Sequence, residues 1–192
     1  MTTETAEVSI LDLLRKYWSE LRQTDTLPAR TKIDPVQIDD ALPSSFILER
    51  ADEGPAHLRV SGQRISEMVG FDTRGLPLPH LFDAPNRQRI WGLSDTCLAA
   101  PAVVTLGIEA KAANGFGRVS GRMVLMPLAD SDGTVNRALG GFELHSAVPI
   151  APECLIVPSS AAPKIEYLSE IPTIKERKPA PRPALRLVVD NT

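Results

Sequence analysis

The chain has 192 residues, 43% of them hydrophobic, which is enough to bury one good core but not two. Its net charge of −3 argues against general affinity for nucleic acid or an anionic lipid surface, so no nucleic acid is expected among its partners. No apolar run approaches the ~20 residues that span a bilayer, no basic-then-apolar leader is visible, and Cys97 and Cys154 stand far apart without a CxxC. The expected setting is therefore a reducing cytoplasm, with no zinc site, no disulfide and no membrane span.

Residues 1–8 carry no pattern and are expected to be disordered. Ser9 is a candidate N-cap, with Asp12 three residues on, and Ile10, Leu13, Leu14, Tyr17, Trp18 and Leu21 then recur at helical spacing. That apolar face needs a cover, and Leu14, Tyr17, Trp18 and Leu21 are the candidates for a helix interface, either with the chain's own sheet or across a dimer. Leu27-Pro28-Ala29-Arg30 breaks the helix. A second, shorter helix is signalled by Asp34 as cap and Pro35 at its first position, with Ile38 and Leu42 facing inward. Residues 9–43 thus read as a helical lead-in.

From Phe46 the period changes to two. Phe46–Glu49 and His57–Ser61 read as short strands joined by the turn Asp52-Glu53-Gly54-Pro55. Gln63–Val69 is a short helix that Gly70 closes in the left-handed conformation. The segment 71–82 is irregular, Asp83 and Pro85 open a longer helix that ends near Pro101, and strands follow over 104–111, 118–128 and 138–144, with Asn114-Gly115 turning the first into the second. The second of these becomes apolar on both faces through Val124, Leu125 and Met126, so its outer face must be covered. After Val148 the composition shifts: residues 149–192 hold eight prolines, no glycine and one aromatic residue. The expectation is a flexible tail, dispensable for folding, with a basic stretch at Lys175–Arg186 and a marginal docking set at Ile165, Leu168, Ile171 and Ile174.

Two short strands, short helices, a longer helix and three strands follow one another over about 100 residues, and particular sequences add to that order. Tyr17-Trp18-Ser19-Glu20-Leu21-Arg22, Leu27-Pro28-Ala29-Arg30, Ile33-Asp34-Pro35, Arg59-Val60-Ser61-Gly62 and Gly70-Phe71-Asp72-Thr73-Arg74-Gly75 resemble a family of bacterial single-PAS-domain proteins. The resemblance covers residues 12 to about 146. It implies an α+β fold, a PAS-like five-stranded antiparallel sheet with helices on one face, over residues 44–148, and the N-terminal helix packed nearby. It implies no shared catalytic motif.

The chemistry-bearing residues are sparse. Gly115-Phe116-Gly117-Arg118-Val119-Ser120-Gly121 is spaced GxGxxxG and runs into a strand, whereas a dinucleotide fingerprint opens a helix. No GxxxxGK[ST] or Gly-x-Ser-x-Gly occurs, and the three histidines lie in different elements with no metal-ligand spacing. His80 is the candidate for a haem ligand, and Cys97 lacks the flavin-photoreceptor context, so it reads as a small core residue. Met68, His80, Phe82, Trp91, Leu106, Met123, Leu125 and Phe142 are the candidates to surround a PAS cavity. They either fill the core or line a small pocket there. The reading is a non-enzymatic sensory or signalling module that works through protein contact or self-association, with a small ligand in the cavity as a bias on that contact. Its rival is a cofactor or small-molecule binding protein with the cavity as its site. No cofactor or metal is assigned.

Overall fold

The computed structural model of the protein describes residues 9–22, 27–145, 150–151 and 153–168. The expected disordered N-terminus (1–8) and the chain from 169 onward, with Ile171, Ile174 and the basic stretch 175–186, lie outside the described residues.

Helix α1 (Ile10–Leu21) starts where Ser9 caps it, the serine Oγ accepting the Asp12 N–H at 3.2 Å. Strands β1 (Ser45–Glu49) and β2 (His57–Ser61) are followed by α2 (Gln63–Val69), which Gly70 ends at φ 83°. The rest of the lead-in makes only single 3-10 turns, Arg30–Lys32, Pro35–Ile38 and Leu42–Ser44, in place of the expected second helix; Pro35 opens its turn as expected, but Pro43 has no N–H with which to carry a helix onward. Ile38 is buried as expected, but Leu42 is 37% exposed. Helix α3 (Arg87–Ala99) then leads into β3 (Ala102–Lys111), β4 (Arg118–Ala129) and β5 (Val135–Leu144). In the segment 70–75, Thr73 is buried while Asp72 and Arg74 pair with each other in the exposed turn, the Arg74 hydrogen bond drawing the Asp72 carboxyl down to about 2.

The sheet has six strands, not five. Its order is β2-β1-β5-β4-β3-β6, with every pairing antiparallel. The sixth strand, β6 (Lys164–Tyr167), comes from the segment expected to be a flexible tail and pairs with the edge of β3, Val104 facing Ile165. Ahead of it, Leu155 and Val157 are buried in the inner core, and the Leu155 and Ile156 backbones bond to Leu81, Asp83 and Glu109. The flexible-tail boundary at 149 therefore fails over the described residues 150–151 and 153–168. Proline richness lowers helix and inner-strand propensity, but it leaves extended backbone free to pair at a sheet edge, and a few well-placed apolar side chains are enough to anchor it.

The sheet is covered on both faces. Helices α2 and α3 and the turn Leu78–Leu81 close the inner face over Phe46, Leu48, Leu106, Met123, Leu125 and Phe142. Helix α1 lies across the outer face and seals Val103, Val124, Met126, Leu128 and Leu139 with Leu11, Leu14, Tyr17 and Trp18. This is the cover that the two-sided apolar stretch of β4 requires.

Candidate functional site

Six of the eight expected cavity residues meet in the inner layer: Met68, Phe82, Leu106, Met123, Leu125 and Phe142 are all buried in one cluster. Side chains occupy its centre. The Phe142 ring lies 5.1 Å from that of Phe46 and 6.2 Å from that of Phe82, both in tilted contact. A Cβ at Gly140 would stand 2.3 Å from the Phe46 ring, so the strand is bare there because the ring fills the space. The other two residues are corrected. Trp91 is 39% exposed, since α3 buries Ile90, Leu93, Ser94, Cys97 and Leu98, and at 100° per residue that stripe turns position 91 outward. His80 is exposed on the turn where Leu78 and Leu81 take the inward places. Cys97 is buried, and desolvation pushes its thiol well above the ordinary range, leaving it protonated.

The interface candidates Leu14, Tyr17 and Trp18 are buried against the chain's own sheet, and Leu21 is half-buried beside them. They are therefore not a surface seam for a dimer while α1 is docked. Polar bonds fix the helix in place. The Trp18 indole donates to the Pro127 carbonyl at 3.0 Å, and the Tyr17 hydroxyl accepts the Asp34 N–H at 2.7 Å. At the N-terminus, Glu143 of β5 accepts the Ile10 N–H at 2.7 Å and the Ser9 hydroxyl at 2.8 Å, while Arg122 of β4 donates to both Ser9 and Glu143 at 3.0 Å. Burial opposes the charge on Glu143, but the bonds from Ser9, Arg122 and Ile10 outweigh it and hold the carboxyl below its ordinary range. Farther along, Arg15 pairs with Glu166 of β6. The helix is thus tied to β4, β5 and β6 at once.

A cleft of 460 Å³ opens elsewhere, between the lead-in and the sheet edge at β2. Its floor is Ile38, Ile47 and Leu139, and Ile33, Leu42 and Val60 form apolar walls. Val60 is 50% exposed. Arg30 and Arg64 also line the cleft, and neither guanidinium has an ion-pair or hydrogen-bond partner among the described residues. The third charged lining residue, Glu67, accepts a bond from Gln63 at 2.7 Å. Ser61 completes the wall. Its Oγ accepts from Thr73 at 2.7 Å, and Thr73 lies 3.2 Å from Ser66. The sequence gives no sign of this cleft, because its residues come from positions 30 to 139 and share no periodicity. Among the described residues no group of three or more His, Cys, Asp or Glu is placed to hold a metal ion, and no helix is long and apolar enough to cross a membrane.

A family model described as a PAS domain matches residues 7–143. No curated protein matches the chain in sequence. Among solved structures, the chain is similar to VqmA of Vibrio cholerae at 12% identity and TM-score 0.45, over 60% of this chain and 53% of that one. It is similar to the blue-light photoreceptor Aureochrome1 LOV at 13% identity and TM-score 0.41, over 57% and 87%. An RNA-binding light-oxygen-voltage receptor follows at 17% identity and TM-score 0.42, over 65% and 37%. The chain spans about half the length of the VqmA chains it matches. These neighbours correct one expectation: they include a VqmA-ligand-DNA complex and a receptor that binds RNA, so the exclusion of nucleic acid on charge does not stand. A net charge is a sum over the whole chain and describes no single face of it.

Proposed function

The chain belongs to the PAS domain family, and from that premise we propose that it is a non-catalytic sensory module that signals by contact with another protein. The observation that carries this reading is the seat of α1. An amphipathic helix that closes one face of the sheet through a handful of polar ties has two places to be, on its own sheet or against a partner. Strands β4 and β5 supply the connection. Alternate residues along them point into the inner layer (Met123, Leu125, Phe142) and under α1 (Val124, Met126, Leu139), so a change of packing on one face is felt on the other. The free cysteines suit a reducing compartment, and the cytoplasm is the setting this reading takes. The rival reading, a cofactor in the inner layer, is not adopted, because the rings of Phe46, Phe82 and Phe142 fill the space it would use.

The test is in-cell photo-crosslinking from the free face of α1. A crosslinking residue at Lys16 or Glu20, both well exposed, is expected to give a discrete protein adduct. One at Asn114, in the distant turn between β3 and β4, is expected to give none. Equal adducts from all three positions, or none from α1, would overturn the contact reading.

A further inference from the structure

We propose that the cleft between the lead-in and β2 is a binding site for a small amphipathic anion, an apolar body carrying one carboxylate-type head. Its 460 Å³ falls within the roughly 300–1,000 Å³ of small-molecule sites. The floor and walls are apolar, and Val60 and Leu42 are each partly exposed there. Leaving such area in water is unfavourable, so the surface favours something that covers it.

The polar groups choose the kind of occupant. Arg30 and Arg64 bring two cations that have no ion-pair or hydrogen-bond partner among the described residues, and Glu67 is the one acid in the described lining. A guanidinium presents paired donors that match a carboxylate in a fork. Ser61 adds a third donor, because its oxygen already accepts from Thr73 and its own proton is left to point elsewhere. One other occupant fits less well. The chain's own basic stretch, Lys175–Arg186, sums to +4 and would bring like charge to two arginines. A second copy laid along β2 would cover the apolar area too, and the native mass distinguishes it from a small anion. The lining does not include Lys16 or Glu20, the exposed α1 positions of the contact test, so this inference goes beyond the contact reading and does not depend on it.

Decanoate, below its micellar concentration, is the probe, with decanol and decyltrimethylammonium as head-group controls. Titration calorimetry is expected to show saturable one-to-one binding of decanoate, with amide shifts mapping to Val60, Ser61 and Leu139. The two controls should bind roughly tenfold more weakly or worse. Arg30→Gln with Arg64→Gln should weaken decanoate by a similar factor, and neither guanidinium bonds another described residue. Val60→Trp should abolish binding, whereas Met123→Trp in the inner layer should not. No binding of decanoate overturns the proposal, as does equal affinity for decanol or for the double arginine variant. So does loss through Met123→Trp with Val60→Trp unaffected, or a native mass that halves on Val60→Asp, which would make a second copy the occupant. The crosslinking experiment on α1 is untouched by all of these outcomes, so the two readings fail separately.

Discussion

Two glycines in the middle of β5 show how much a single position decides. Gly140 faces the inner layer, where an added Cβ would meet the Phe46 ring at 2.3 and 2.4 Å and the Val124 carbonyl at 3.0 Å. Gly141 faces outward, where the nearest atoms are the ends of Leu14 and Leu11 at 2.7 and 3.0 Å. A ring backed by a packed core moves less easily than the tip of a leucine. Gly140→Ala is therefore expected to cost about 1–3 kcal/mol in urea denaturation, and Gly141→Ala distinctly less; the reverse order would mean that α1 is the more rigid wall. Glu143 makes a different prediction. Its carboxyl is held below the ordinary range in the folded protein, so its stabilisation is complete above the unfolded value near ~4.3 and disappears as pH falls through the lowered folded value. Glu143→Gln should lose on the order of 1–3 kcal/mol at pH 7, and the gap to the parent should close in acid. A gap that stays constant from pH 7 to pH 3 would show that the charge contributes nothing.

Helix α1 and the segment 150–168 are the elements whose roles the fold alone makes plain. Leu14 and Trp18 of α1 are buried against the chain's own sheet, so their loss should act on stability before it acts on association. Leu14→Ala alone is expected to cost about 2–5 kcal/mol, with the native mass of the folded fraction unchanged. A stable variant with halved mass would restore a dimer seam at this helix. Truncation after Val148 removes Leu155 and Val157 from the inner core and strips β6 from the edge of β3. At about 1.5–3 kcal/mol for each buried aliphatic side chain, the truncated chain should lose on the order of 3–5 kcal/mol. A melting temperature equal to that of the full chain would return the segment to the status of a tail.

One sheet serves two cores, and the whole molecule should therefore unfold as one. The strands β4 and β5 contribute to both clusters through alternate residues, so neither layer keeps its footing when the other opens. The two tryptophans make this measurable, since Trp18 lies in the outer core and Trp91 on α3 of the inner layer. In a Trp91→Phe variant, Trp18 fluorescence and far-ultraviolet circular dichroism are expected to share one thermal midpoint. Separate midpoints would mean that α1 and the outer layer form an independent unit.

The elements themselves were legible in the residues. Ser9 before a 3.6-residue apolar repeat, Gly70 after a short one, and period-two alternation through 104–111 and 118–128 are local signals, because capping and side-chain direction depend on neighbours a few residues away. The two-sided apolar stretch of β4 even announced that something must cover it. Three features could not be read this way. The inward or outward direction of His80 and Trp91 depends on which stripe of a turn or helix meets the sheet. The capture of Leu155, Val157 and β6 depends on an open edge at β3, and the cleft depends on how the lead-in passes β2. Each of these is fixed by long-range packing, in which residues far apart in the chain compete for the same apolar surface, and only the assembled tertiary structure decides which of them win it.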